Sequence, residues 1–245
     1  MLESPTIFDR FSAAKGQIAV LIDPDKCNDE DRLVELLKRA KFAGVNYLFV
    51  GGSTVSHDDF KHAIRLIKSH SEIPLVLFPG ASHQVSEKAD ALLYLSLISG
   101  RNPDFLIGHH VQSAKEVFEM DIEVIPTGYM LIDGGTNSSV AYVSQTTPIP
   151  PENASIILNT AKAGILQGKK IIFMDAGSGA LNAVPAAIVR QLEPLGVPLI
   201  IGGGVKSIAQ LNTLKTAGAN VIVIGNKLEE NIDFLLDIKL YIDAL

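Results

Sequence analysis

The chain has 245 residues, 47% of them hydrophobic and 20% charged, with a formal net charge of −6 and one cysteine. That balance is ordinary for a soluble globular protein and argues against a nucleic-acid surface, which needs clustered Lys and Arg. The lone Cys27 excludes an internal disulfide and suits a reducing cytoplasm, the expected location. No run reaches the roughly 18 apolar residues of a membrane helix, and the start MLESPTIFDRF lacks the basic-then-apolar order of a signal peptide.

The predicted elements alternate along the chain. Residues 17–22 (QIAVLI) read as a strand ending at Asp23-Pro24-Asp25-Lys26. Residues 29–42 carry helical spacing in Leu33, Leu36, Leu37 and Ala40, and stop at Gly44. A second strand, 46–50, runs into Gly51-Gly52-Ser53-Thr54, and a second helix, 57–70, has Phe60, Ile64 and Ile67 on one face. The third strand, 74–78, ends at Pro79-Gly80. Only residues 81–90 then precede the apolar run 91–97, too few for a full helix with its loops, so the third helix is predicted to be short or missing. Residues 109–120 read as a helix and 123–132 as a long strand. The stretch 133–151 is rich in Gly, Ser, Thr and Pro, and reads as a mobile loop placed as a lid. A helix lies within 150–167, and a sixth strand, 170–174, ends at Asp175-Ala176-Gly177-Ser178-Gly179. Residues 198–226 form a βαβ unit: strand 198–201, Gly202-Gly203-Gly204, a helix from near Ser207, strand 220–224, then Gly225-Asn226. Residues 230–245 close the chain as a helix.

Near-continuous apolar strands alternating with helices predict a parallel sheet covered on its outside. The length is close to the roughly 250 residues of a single (β/α)8 barrel, so one TIM-barrel domain over residues 1–245 is expected, with its third helix short or missing.

In such a barrel the strand C-termini share one face, and the polar residues of this chain concentrate there. One half offers the oxygens of Asp23, Asp25, Ser53 and Thr54; the other offers glycine amides at Gly202 to Gly204 and at Gly225-Asn226. Glycines beside a helix N-terminus suit a phosphate. Asp23 with Ser53 is a sparse oxygen site of the kind Mg²⁺ uses alongside substrate phosphates. The same pair also fits turn duty, Asp23 opening an Asp-Pro turn and Ser53 capping the next helix. Asp175 lies between the halves, where a carboxylate could orient or deprotonate a substrate hydroxyl, or simply cap the Ala-Gly-Ser-Gly turn. His109 and His110 read as helix-capping or surface residues, and His83 as a remote candidate for the site. Cys27 has no nucleophile context. Tyr129 is barrel filling or pocket wall.

The motifs IDPDK, FVGGST, LFPG, LLYLSLISGRNPDFLIGHH, IPTGYMLIDGG, FMDAGSGA, IIGGGVKS and VIGN, in order from Ile22 to Asn226, resemble the geranylgeranylglyceryl phosphate synthase family. That family includes the heptaprenylglyceryl phosphate synthases. Length and the segment PTGYMLIDGGTNSSV are most similar to the larger of its two groups, which has archaeal and bacterial members. The resemblance implies a prenyltransferase joining the C3 hydroxyl of sn-glycerol 1-phosphate to an all-trans polyprenyl diphosphate, geranylgeranyl diphosphate above all, with release of pyrophosphate. It implies Mg²⁺ on Asp23 and Ser53. It implies a glycerol phosphate site at Phe173, Met174, Asp175, Ala176, Gly177, Ser178, Gly179, Gly203, Gly204, Gly225 and Asn226. A homo-oligomer, dimer or hexamer, and a product that passes to the membrane are implied as well. The chain departs from the family at Phe173, where Tyr is frequent, at Asp175, where Glu is frequent, and at Leu21, where some relatives carry Lys. Two other readings stand beside this one: a sugar-phosphate isomerase or lyase, and a barrel that binds phosphate without chemistry.

Overall fold

The computed structural model describes residues 4–53 and 55–244. Thr54, one of the hydroxyls named above, and Leu245 lie outside them. Eight parallel strands close into a barrel in sequence order, with the last pairing back onto the first. They are β1 (Gln17–Ile22), β2 (Tyr47–Val50), β3 (Leu75–Leu77), β4 (Ala91–Leu97), β5 (Glu123–Leu131), β6 (Ile171–Asp175), β7 (Leu199–Gly202) and β8 (Val221–Ile224). Every predicted strand is present, within one residue at each end. Alternation decides the layers. Tyr47, Phe49, Leu93, Ile125, Tyr129 and Phe173 fill the barrel, while their neighbours Leu48, Val50, Leu92, Met130, Ile172 and Met174 pack outward against the helices.

The covering helices have readable causes. Asp29 caps α2 (Glu30–Ala43) through its side chain, and Gly44, at φ 75°, ends it in the left-handed region. Ser56 caps α3 (His57–His70), accepting from the Asp59 N–H at 3.2 Å. The cap of this helix is therefore Ser56, and Ser53 does not have the capping duty considered for it. The first helix had no counterpart in the sequence reading, and neither had the one at Ala186–Leu192. The segment α1 (Ile7–Ala13) plugs the lower barrel end, with Phe11 fully buried edge-on to Tyr47 at 4.8 Å. The Glu123 carboxylate accepts from the first amides of α1, at 2.6 Å from Ile7 and 3.0 Å from Phe8. With the floor closed, the open end is the upper one.

Between β3 and β4 no helix forms, as expected. Gln84, fully buried, takes over its tethering role. Its Nε2 donates to the Gly52 carbonyl at 2.8 Å and its Oε1 accepts from the Gly80 N–H at 3.0 Å, which ties the β2 and β3 loops together. The stretch read as a mobile loop is instead structured. It holds α5 (Ser139–Ser144), capped by Ser138 and ended by Gln145 at φ 52°, and a bridge between Ile132 and Ile149. The Ser and Gly content serves caps and turns, and Val140 and Ala141 pack onto the barrel interior.

Five wide-turn residues, 104–108, lead into α4 (His109–Glu119), and α6 (Ala154–Leu166), α7 (Ala186–Leu192) and α8 (Ile208–Thr216) complete the outer ring. Ser207 caps α8, where the sequence placed its start. The closing helix predicted over 230–245 is α10 (Phe234–Asp243), and a separate short helix, α9 (Asn226–Glu230), precedes it.

Candidate active site

A cavity of about 260 Å³ opens at the upper end of the barrel. Asp23, Ser53, Phe173, Asp175, Gly203, Gly204, Gly225 and Asn226, from five different strand ends, all line it. The register explains why Asp175 is central, since it pairs with Leu131 on one side and with Gly202 on the other.

Asp175 is held at both oxygens. Tyr129 donates its hydroxyl to Oδ2 at 2.6 Å, and the Gly177 N–H donates to Oδ1 at 2.7 Å. Burial pushes this carboxyl up from its ordinary range; Tyr129 and Gly177 pull it back part of the way. Burial, then the Asp175 charge, drives the Tyr129 hydroxyl well above its ordinary value, so Tyr129 stays a neutral donor. Asp175 thus caps the turn, and it also lines the cavity. Tyr129 likewise both fills the barrel and walls the pocket. Beneath it, Phe78 stacks on Phe173 at 5.0 Å and both rings meet Tyr129 edge-on. The ring of Phe173 therefore serves as floor.

The glycine half is shaped by contact. Gly203 and Gly204 both adopt left-handed backbone, at φ 77° and 70°. A Cβ on Gly203 would lie 2.8 Å from Asp175 Oδ1 and 2.7 Å from the Gly177 nitrogen, and one on Gly204 would lie 2.5 Å from the Asn182 carbonyl oxygen. The Asn226 side chain also ties two loops together. Its Oδ1 accepts from Ser178 Oγ at 3.1 Å and from the Gly179 N–H at 2.9 Å, strapping the β6 loop to β8. Lys206 and Lys227 face the same cavity and add positive charge to the amides. The sequence reading passed over both lysines, although Lys206 stands only two residues beyond the glycine run.

In the opposite half, Asp23 does open its turn, accepting from the Asp25 N–H at 3.2 Å through Oδ1. Oδ2 has no hydrogen bond among the described residues, and burial raises this carboxyl too. A Cβ on Gly52 would lie 3.3 Å from Oδ1, so the β2 loop passes close to the carboxylate and sets Ser53 in the same cavity. No group of three or more His, Cys, Asp or Glu that could hold a metal exists among the described residues. One carboxylate and one hydroxyl do not suit Zn²⁺, but they suit Mg²⁺, which keeps waters and takes further oxygens from substrate phosphates.

The histidines divide. His110 is neither cap nor surface residue; it lies in the cavity wall, stacked on Tyr94 at 3.9 Å, with Nε2 donating to the Leu95 carbonyl at 2.7 Å. His109 also lines the cavity, with a buried Nδ1 that has no partner among the described residues. His83 is occupied by the Val55 carbonyl. Cys27 is buried, and burial with the nearby Asp23 and Asp25 charges pushes its thiol up to about 12. It is inert at neutral pH.

Residues 12–241 match the PcrB family. The chain belongs to that family. A geranylgeranylglyceryl phosphate synthase of Chitinophaga pinensis is 45% identical over 226 residues, covering 92% of this chain and 89% of the relative. One from Zunongwangia profunda is 42% identical over 232 residues, covering 92% and 97%. The crystal structure of (S)-3-O-geranylgeranylglyceryl phosphate synthase from Thermoplasma acidophilum, in complex with substrate sn-glycerol-1-phosphate, superposes with a TM-score of 0.90 at 28% identity, covering 98% of both chains. The family read from the motifs is borne out, and so is the barrel. No helix among the described residues of this PcrB-family chain is long and apolar enough to cross a membrane.

Proposed function

We propose that the chain is a prenyltransferase of the geranylgeranylglyceryl phosphate synthase type, forming an ether between sn-glycerol 1-phosphate and a polyprenyl diphosphate. One observation carries the reading. Asp175 stands between a glycine-lined, lysine-flanked half and an Asp23–Ser53 half, and Phe78, Leu92, Leu95 and Leu97 give the same cavity an apolar groove. A sugar-phosphate isomerase or lyase would have no use for that groove.

The amides at Gly203 and Gly204, with Lys206 and Lys227, hold the glycerol phosphate, while Ser178-Gly179 is kept in place by Asn226. The C3 hydroxyl then reaches Asp175. Asp175 orients it and takes its proton, directly or through one water, as the oxygen bonds to C1 of the prenyl chain. The C1–O bond to the diphosphate breaks and its electron pair leaves with pyrophosphate. Asp23 and Ser53 would hold Mg²⁺, which when bound neutralises charge on the departing diphosphate. Tyr129 keeps the Asp175 carboxylate aimed, and the Phe78–Phe173 stack keeps water from beneath it. The lipid product then passes to a membrane. Exposed Val111 and Phe118 on α4 support assembly into a homo-oligomer, a dimer or hexamer.

The test is a product assay with labelled geranylgeranyl diphosphate and sn-glycerol 1-phosphate, with and without EDTA, beside the 3-phosphate enantiomer. An EDTA-sensitive ether formed only from the 1-phosphate is expected. No product from any prenyl diphosphate, with folded protein, would refute the reading.

A further inference from the structure

The connection that replaces the third helix buries one polar side chain completely. Between β3 and β4 the chain turns at residues 81–84, where the Gln84 N–H donates to the Ala81 carbonyl at 3.1 Å. The Gln84 side chain has no exposure at all. A buried amide must find partners, and this one finds most of them in the β2 loop. Its Nε2 donates to the Gly52 carbonyl at 2.8 Å, while its Oε1 accepts from the Gly52 N–H at 3.4 Å and from the Gly80 N–H at 3.0 Å. Both backbone polar groups of Gly52 therefore meet a single side chain. Next to it, His83 Nε2 donates to the Val55 carbonyl at 3.0 Å. Residues 83 and 84 thus grip the β2 loop on either side of Ser53. What they grip is the backbone between the two oxygens of the metal half. A Cβ on Gly52 would lie 3.3 Å from Asp23 Oδ1, and one on Gly80 would lie 2.9 Å from Ser53 Cα. A serine hydroxyl hangs on one rotatable bond, so its reach toward Asp23 follows from where Gly52 stands. Mg²⁺ demands near-ideal octahedral geometry and tolerates little error in its ligands.

We propose that Gln84 is a positioning residue for the metal half, holding Ser53 beside Asp23 through the Gly52 backbone. This rests on the reading of Asp23 and Ser53 as the Mg²⁺ site. Neither Gly52 nor Gly80 belongs to the glycerol phosphate half, so the two halves should respond differently to the loss of Gln84.

The test is a set of calorimetric titrations on the unsubstituted protein, Gln84→Met and Leu214→Ala. Pyrophosphate is titrated with Mg²⁺ and again with EDTA, and sn-glycerol 1-phosphate is titrated separately. Gln84→Met keeps most of the bulk without the amide. Leu214→Ala removes core packing from α8, away from the metal half, and is the control for lowered stability. Melting curves check the fold of each variant. Gln84→Met should raise the Kd for pyrophosphate with Mg²⁺ by about tenfold or more, as the loss of a group that supports a metal ligand does. Its Kd for glycerol phosphate should stay with the parent's, and Leu214→Ala should change neither. Should Gln84→Met not fold, Gln84→Glu reads the same Kd, since it keeps the acceptor for Gly80 and loses the donor to the Gly52 carbonyl. A Kd with Mg²⁺ that does not move, or that moves no more than the glycerol phosphate Kd, overturns the positioning role. If the unsubstituted protein binds pyrophosphate equally well in Mg²⁺ and in EDTA, the metal reading falls instead, and this role with it.

Discussion

The Tyr129 hydroxyl donates to Asp175 Oδ2 at 2.6 Å, across the seam between β5 and β6. The pairing follows from register, because Tyr129 sits opposite Phe173, and its side chain lies inside the barrel below the turn that begins at Asp175. A hydrogen bond to the ionised form lowers a carboxyl pKa, and removing it lets burial act unopposed. Tyr129→Phe keeps the ring and its edge contacts to Phe78 and Phe173. It should raise the Asp175 pKa and carry the acid limb of the kcat/KM profile to higher pH. Turnover at neutral pH should fall at the same time. An acid limb that stays in place would separate Asp175 from the proton transfer.

Asp175→Asn tests the base itself. The amide oxygen still accepts from Gly177, so the turn survives, but no proton can be taken; kcat should drop by about a hundredfold or more. Stability should move the other way. Burial raises the folded-state pKa above its ordinary 3.8, so ionisation at neutral pH works against the fold. The stability linked to the protonated carboxyl is present at low pH and lost as pH rises through the raised value. The variant should therefore melt higher than the parent at pH 7, and the gap should narrow on acidification. A variant that melts lower at pH 7 would contradict the burial argument.

The fold was legible because the strands announce themselves. Eight apolar runs, most of them closed by Gly, Pro or Asp, leave little freedom in a parallel barrel, and the thirteen residues between strands three and four are too few for a full helix with its loops. Asp23, Ser53, Asp175 and the two glycine loops were legible for a related reason: strand ends in this fold share one face. What sequence could not supply was partnership. That Asn226 straps Ser178 depends on a side-chain rotamer, and whether His110 faces water or stacks on Tyr94 depends on which side of α4 meets β4. The loop at 133–151 was misread because Ser, Gly and Thr serve caps and tight turns as readily as flexible chain. Lys206 was within reach of sequence reasoning, being the residue after Gly-Gly-Gly-Val.

Gly203→Ala should damage the site by geometry alone. The new methyl would press on Asp175 Oδ1 and the Gly177 nitrogen, and Ala at φ 77° is strained besides. A cost of about 1–3 kcal/mol follows from the backbone conformation. KM for glycerol phosphate should rise with it, because the amides move. Unchanged KM with a lowered melting temperature would confine Gly203 to a structural part.

The metal half is tested by Asp23→Asn, which retains an oxygen to accept from the Asp25 N–H and so keeps the turn while removing the charge. The Mg²⁺ concentration for half-maximal rate should rise by about tenfold or more, with a smaller rise for Ser53→Ala. A readout apart from turnover is the rise in melting temperature given by Mg²⁺ with pyrophosphate, which the variant should lose. The parent adds a pH signature. Burial raises the Asp23 carboxyl above its ordinary 3.8, and only the ionised form binds a cation, so protons compete at a higher pH than for an exposed aspartate. The Mg²⁺ requirement of the parent should thus climb as pH falls while that of Asp23→Asn stays flat. Parallel pH dependences in the two proteins would assign the cation to other groups.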